Sequence, residues 1–144
     1  MKISIVLCSL ALALSVSPAL RAADGDTELQ MKMQKMSSAF RPLRAQLADA
    51  TKNDDSLAKV ATIKENATAA LALTPMKIAD MPAADQPKAI AAYKEELNKL
   101  IASLDKLTAA LKAGKNDEAQ TIYTELGGLQ KEGHTEFKKS GKKQ

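Results

Sequence analysis

The sequence predicts an all-α fold, an antiparallel up-down-up-down bundle of four helices preceded by a cleaved signal peptide. Three observations point there. Ala, Leu, Lys, Glu and Gln dominate, and aromatic residues make up only 3% of the chain, a composition that favours helix over strand. Apolar residues recur at alternating steps of three and four, the period of one helical face. The connections between these periodic stretches are short, and helices joined by short connections pack as antiparallel neighbours.

The first 23 residues read differently from the rest. Lys2, an apolar run from Ile3 to Leu14, and then Pro18 and Leu20-Arg21-Ala22-Ala23 follow the charged, greasy and small-residue order of a secretory signal. The run is too short for a membrane span. Cleavage after Ala22 or Ala23 would leave one domain over residues 24–144, exported to the periplasm. Cys8 is the chain's single cysteine and leaves with the leader, so the mature protein has no disulfide, no thiolate-bound zinc and no Cys-x-x-Cys-His attachment of haem.

The first helix carries Leu29, Met33, Met36, Phe40, Leu43, Leu47 and Ala50 on one stripe, with Asp24 and Asp26 as N-terminal caps and Asn53-Asp54-Asp55 as the break. Pro42 predicts a kink within it. The second helix, from about Asp55 to Leu73, carries Leu57, Val60, Ile63, Ala67, Ala70 and Leu71, and Pro75 ends it. Residues 75–86 read as a loop with Met76 and Met81 as partly tucked anchors. The third helix starts near Asp85 with Pro87 in its first turn, and its stripe is Ile90, Tyr93, Leu97, Leu100, Leu104, Leu107 and Leu111. Gly114 stops it. Asn116 or Asp117 caps the fourth helix, whose inner side is Ala119, Ile122, Tyr123, Leu126, Leu129, Gly133 and Phe137, with Ser140-Gly141 as its end.

Removing Lys2 and Arg21 lowers the net charge from +4 to +2. With basic residues interleaved among acidic ones, two Tyr, two Phe and no Trp, the chain lacks the basic patch and stacking platform of a nucleic-acid binder. Carboxylates pair with lysines at helical spacing, as Glu95 and Glu96 do near Lys94, and none forms an isolated acid pair. A nucleophile with its base, an open metal site and a phosphate loop are all missing, so the pattern is not that of an enzyme. The tail of Lys138, Lys139, Lys142 and Lys143 reads as solvated.

What remains is one histidine and a methionine cluster. His134 lies near the end of the fourth helix, ~6 Å from its terminus, and Met33 lies ~12 Å into the first. In an up-down-up-down bundle both belong to one end, with Met76, Tyr93 and Leu97 around them. An imidazole and a thioether are an axial pair for a six-coordinate haem. Read singly, His134 is more often a surface residue favoured at a helix C-terminus than a ligand, and Met33 and Met36 are more often core filler. Gly127, Gly128 and Gly133 weaken the fourth helix, and either a planar cofactor or loose packing accounts for them.

Gly114-Lys115, Glu118-Ala119-Gln120, Leu126, His134, Phe137 and Lys138, together with Leu29, Met33, Met36, Phe40 and Leu43, resemble the cytochrome b562 family, as does the turn Thr74-Pro75-Met76-Lys77. The resemblance covers essentially the whole mature chain. It implies a periplasmic carrier of single electrons with one noncovalent haem b, ligated by Met33 and His134, with Met36 as the rival to Met33. It also implies a pocket drawn from Met36, Phe40, Met76, Tyr93, Leu97, Leu126, Gln130 and Phe137, a monomeric state and a periplasmic redox partner. The chain departs from the family where Gln130 replaces a basic residue, where Leu97 replaces an aromatic one, and at Pro42. Two other functions fit the same residues: a Cu(I) site of Met31, Met33 and Met36, since thioethers select that ion, and a haem-less structural bundle.

Overall fold

Two pairs of antiparallel helices make up the protein. The computed structural model describes the backbone of residues 18–138 and the side chains of residues 28–138. In order the helices are α1 (Pro18–Gln46), α2 (Asn53–Ala70), a single turn α3 (Met76–Ala79), α4 (Gln86–Lys112) and α5 (Asn116–Phe137), with a 3₁₀ turn Ala50–Lys52 between α1 and α2. No strand occurs among the described residues, and none of their helices is long and apolar enough to cross a membrane. The expected leader, residues 1–23, lies outside the described residues except for its last six, whose backbone continues into α1.

The core follows the expected stripes. Leu43, Leu47, Val60, Ile63, Ala67, Leu104, Leu107, Leu111, Ala119 and Leu126 are all buried in one cluster. Burying a Leu or Val side chain contributes roughly 1.5–3 kcal/mol, so these positions carry most of the bundle's cohesion. α1 packs on α2, α2 on α4 and α4 on α5, whereas α1 and α5 touch over much less of their length.

The helix boundaries differ from expectation in ways with a local cause. Asp24 and Asp26 lie inside α1 rather than capping it, because one glycine between them costs a helix only about 1 kcal/mol. α1 also continues past Pro42. An interior proline costs about 3 kcal/mol, and the fully buried Leu43 and Leu47 just beyond it offset that penalty. The first break therefore falls before Asn53, at Asp49. Its carboxylate accepts from the Thr51 N–H at 2.9 Å and from the Thr51 hydroxyl at 2.6 Å, which holds its pKa below the ordinary carboxylate value. Ala50 thus leaves the α1 stripe and is exposed.

The stretch expected to be a loop contains α3, and its Ile78 is fully buried. Ile78 is the main anchor there, while Met76 and Met81 are half-buried. Asp85 precedes α4 without a side-chain cap, and Pro87 sits in the first turn. At the other end Gly114 adopts φ +69°; its N–H donates to Leu111 O at 3.1 Å and the Lys115 N–H donates to Ala110 O at 2.9 Å. That is the paired closing bond set of a glycine-terminated helix, and it requires the left-handed conformation that glycine adopts without strain. α5 ends at Phe137, ahead of the expected Ser140-Gly141, which lies outside the described residues. Glu95 and Glu96 pair with Lys99, at 3.1 and 2.8 Å, rather than with Lys94, because residues three and four apart share a helix face and adjacent ones do not.

Asn116 does not cap α5. Its amide donates to Leu47 O at 2.8 Å and to Asn53 Oδ1 at 2.9 Å, while the Asn53 amide donates back to Asn116 Oδ1 at 3.2 Å and to Leu111 O at 3.3 Å. Two side chains thereby tie the chain just past α1, the end of α4 and the starts of α2 and α5 into a closed pole. The start of α1, the α2–α4 connection and the end of α5 form the opposite, open pole.

Candidate cofactor site

At the open pole a second apolar cluster gathers Leu29, Ala70, Ile78, Tyr93, Leu97 and Phe137, with Met33 half-buried against it and against the main core. Tyr93 and Phe137 meet edge to face, with ring centroids 5.4 Å apart and planes at 72°. The Tyr93 hydroxyl donates at 3.2 Å to Ala70 O, on the last residue of α2, which also accepts from the Leu73 N–H at 3.0 Å. Burial pushes the phenol's pKa up to about 12, so Tyr93 stays a neutral wall and donor at physiological pH.

One ring contact marks how α1 and α5 align. Phe40 stacks on Tyr123 with centroids 4.4 Å apart and planes at 16°. Met33 lies seven residues before Phe40 and His134 eleven after Tyr123; these separations are close to two and three full turns, so each shares the face of its helix that makes the stack. Both are displaced toward the open pole, Met33 by about 10 Å and His134 by about 16 Å. Helical side chains tilt toward their own N-terminus. Because the helices are antiparallel, Met33 tilts outward and His134 inward, which narrows the stagger of about 6 Å between them.

His134 is exposed on its turn of α5 and its ring makes no hydrogen bond among the described residues. Partial desolvation first, and the Lys138 ammonium second, hold its pKa below the ordinary 6.5. Both causes favour the neutral ring, the form with a lone pair to donate. A side chain added at Gly127, Gly128 or Gly133 would meet nothing within 4 Å. No protein neighbour therefore demands glycine at these positions, and Gly127 stands between Tyr123 and His134 on their shared face. An apolar cluster, a thioether and an imidazole held toward its neutral form are a floor and donor set that fit a flat, apolar iron macrocycle. Two open surface clefts lie elsewhere, one lined by Ala48, Ala50 and residues 114–118, the other by Met31, Gln34, Lys35, Ser38, Ala39 and Thr62.

The remaining expected pocket residues divide into three groups. Tyr93, Leu97 and Phe137 meet in the open-pole cluster, while Met36 and Leu126 are buried in the main core. Phe40, Met76 and Gln130 are half-buried, Phe40 against Tyr123, Met76 at the start of α3 and Gln130 on α5 between Gly127 and His134. The thioethers of Met31, Met33 and Met36 do not share an environment: Met31 is 52% exposed, Met36 is buried, and Met33 lies at the junction of the two clusters. Residues two apart on a helix point about 200° apart, so Met31 and Met33 cannot close on one copper ion.

Sequence reasoning missed Lys77. Its ammonium donates to Thr135 O at 3.3 Å and to Glu136 O, the carbonyls just after His134. A basic residue two positions beyond a proline stop was visible as Thr74-Pro75-Met76-Lys77, but its target 58 residues away was not.

No curated protein and no solved structure matches the chain. The family model for cytochrome b562 matches residues 28–138. The family comprises b-type, haem-binding, electron-carrying cytochromes and is a standing example of the up-down-up-down bundle. By this match over most of its length, joined to the all-helical bundle, the chain belongs to the cytochrome b562 family.

Proposed function

We propose that this chain is an exported b-type cytochrome that carries single electrons through one noncovalently held haem, with Met33 and His134 as axial ligands. The observation that supports the reading is the Phe40–Tyr123 stack between α1 and α5, with Met33 on the Phe40 side of α1 and His134 on the Tyr123 side of α5, both toward the open pole. Family membership supports the cofactor class. The leader-like residues 1–23 support export to the periplasm, and the absence of any cysteine beyond Cys8 supports noncovalent attachment.

The bound group supplies reversible one-electron chemistry at iron. His134 would offer a neutral ring nitrogen and Met33 a thioether to hold the iron, and such a donor pair would raise its reduction potential. Leu29, Leu97 and Phe137 exclude water from one side of the seam, and Tyr93, its hydroxyl engaged with Ala70 O, holds that wall rigid. Gln130 brings a neutral amide to the seam, so it can donate a hydrogen bond but cannot pair a propionate as a cation would. Met36 fills core volume and does not compete with Met33.

The test is an absorption spectrum of the haemin-reconstituted protein, oxidised and reduced. A low-spin spectrum lost in both His134→Ala and Met33→Ala and kept in Met36→Ala is expected. Its retention in Met33→Ala would move the second ligand to Met36, and colourless protein that takes up no haemin would sink the cytochrome reading.

A further inference from the structure

Resting on that axial pair, we infer that Lys77 is a positioning residue for His134, reaching across the open pole to hold the last turn of α5 that carries the ligand. The last carbonyls of a helix lack intrahelical donors and concentrate the negative end of its dipole. α5 ends at Phe137, where the Lys138 N–H donates to His134 O at 3.1 Å. Three glycines at 127, 128 and 133 already weaken the helix below that turn. An α5 end left to itself would fray, and His134 would fray with it.

Lys77 brings donors to this turn from outside the helix. Its ammonium donates to both Thr135 O and Glu136 O, one and two residues beyond His134. The lysine is itself fixed in place because its neighbour Ile78 is fully buried in the cluster that also contains Phe137. Ile78 N–H donates to Pro75 O at 2.9 Å, so α3 presents Lys77 from a closed turn rather than from a flexible loop. The connection between α2 and α4 thus acts as a strut on the ligand-bearing helix end.

The test compares Lys77→Met, which keeps most of the aliphatic stem and removes the charge, with Lys77→Arg and with Lys64→Ala, which removes a surface ion pair to Asp105 far from α5. Two readouts are taken: amide exchange of residues 134–138 in haem-free protein, and the spin state and affinity of the ferric haemin complex. Lys77→Met should speed exchange at the Lys138 amide, shift part of the low-spin spectrum to high-spin, and weaken haemin binding about two- to fivefold. Lys77→Arg should restore all three and Lys64→Ala should leave them unchanged. A wild-type chain that is low-spin with Lys77→Met indistinguishable from it overturns the role of Lys77 alone. A wild-type chain that never becomes low-spin overturns the cytochrome reading and this role with it, whatever the exchange rates show.

Discussion

The two poles of the bundle are built to different rules. At the closed pole Leu43, Leu47, Leu104, Leu107 and Leu111 are essentially without exposure, and the Asn53–Asn116 pair satisfies carbonyls at two helix ends. At the open pole Met33 is half-buried, His134 is exposed, the glycines of α5 face open space, and α1 and α5 meet sparsely. The contrast is one of packing: one end ties four chain segments together with leucines and paired amides, while the other brings α1 and α5 together over little of their length.

The largest effect that can sharpen this contrast is a cavity at the closed pole. Leu107→Ala, at a fully buried position, should cost about 2–5 kcal/mol in urea unfolding. The haemin complex of its folded fraction should keep the wild-type spectrum. A changed spectrum would mean that the poles are coupled and the contrast is false.

Asn116→Ala comes next. It removes the side-chain donor to Leu47 O and to Asn53 Oδ1 and leaves the Asn53 amide only Leu111 O, and should cost about 1–3 kcal/mol. The double variant with Asn53→Ala should cost less than the two single losses combined, because each removes the other's partner. Full additivity by equilibrium unfolding would show that the two amides do not act as a pair.

Gly127→Ala should move stability and binding in opposite directions. An added methyl meets open space, so helix propensity alone should raise haem-free stability by up to ~1 kcal/mol. If Gly127 borders the cofactor, haemin titration should show weaker binding in the same variant, while exposed Gly128→Ala should gain stability without that loss. Equal haemin affinity in both would place the seam's occupant elsewhere.

The smallest effect concerns pH. The His134 pKa is lowered in the fold, so between that value and the unfolded 6.5 the unfolded chain binds more protons. Its contribution is therefore fully present above about pH 6.5 and is lost as pH falls through the folded value. The ring's exposure keeps the effect small. An NMR titration of haem-free protein should give His134 a pKa below 6.5, and Lys138→Ala should move it part of the way back.

Much of this was legible along the chain because helical periodicity is a local property. The steps of three and four from Leu29 to Leu47 and from Tyr93 to Leu111 name buried residues without knowledge of their partners. Gly114 announced the end of α4 for the same reason, since a left-handed residue is a local demand. Boundaries were less legible where a local signal competes with burial. Pro42 should have disturbed α1, and two buried leucines beyond it carried the helix on.

The pairing of elements was hidden. Ile78 is one apolar residue in a stretch that reads as loop, and its burial depends on Leu29, Tyr93 and Phe137 arriving from three other helices. Asn116 reads as a cap from its neighbours alone, yet it bonds across to Leu47 and Asn53.

By itself, then, the sequence determined the helical class, the buried faces and the presence of one imidazole and a thioether near the same end, because each follows from spacing along a single helix. Only the tertiary structure decided which helices would pack loosely, that Phe40 would stack on Tyr123 between α1 and α5, and that Lys77 would reach the end of α5. Those outcomes depend on the balance of packing among all the helices at once, and no local stretch of residues encodes that balance.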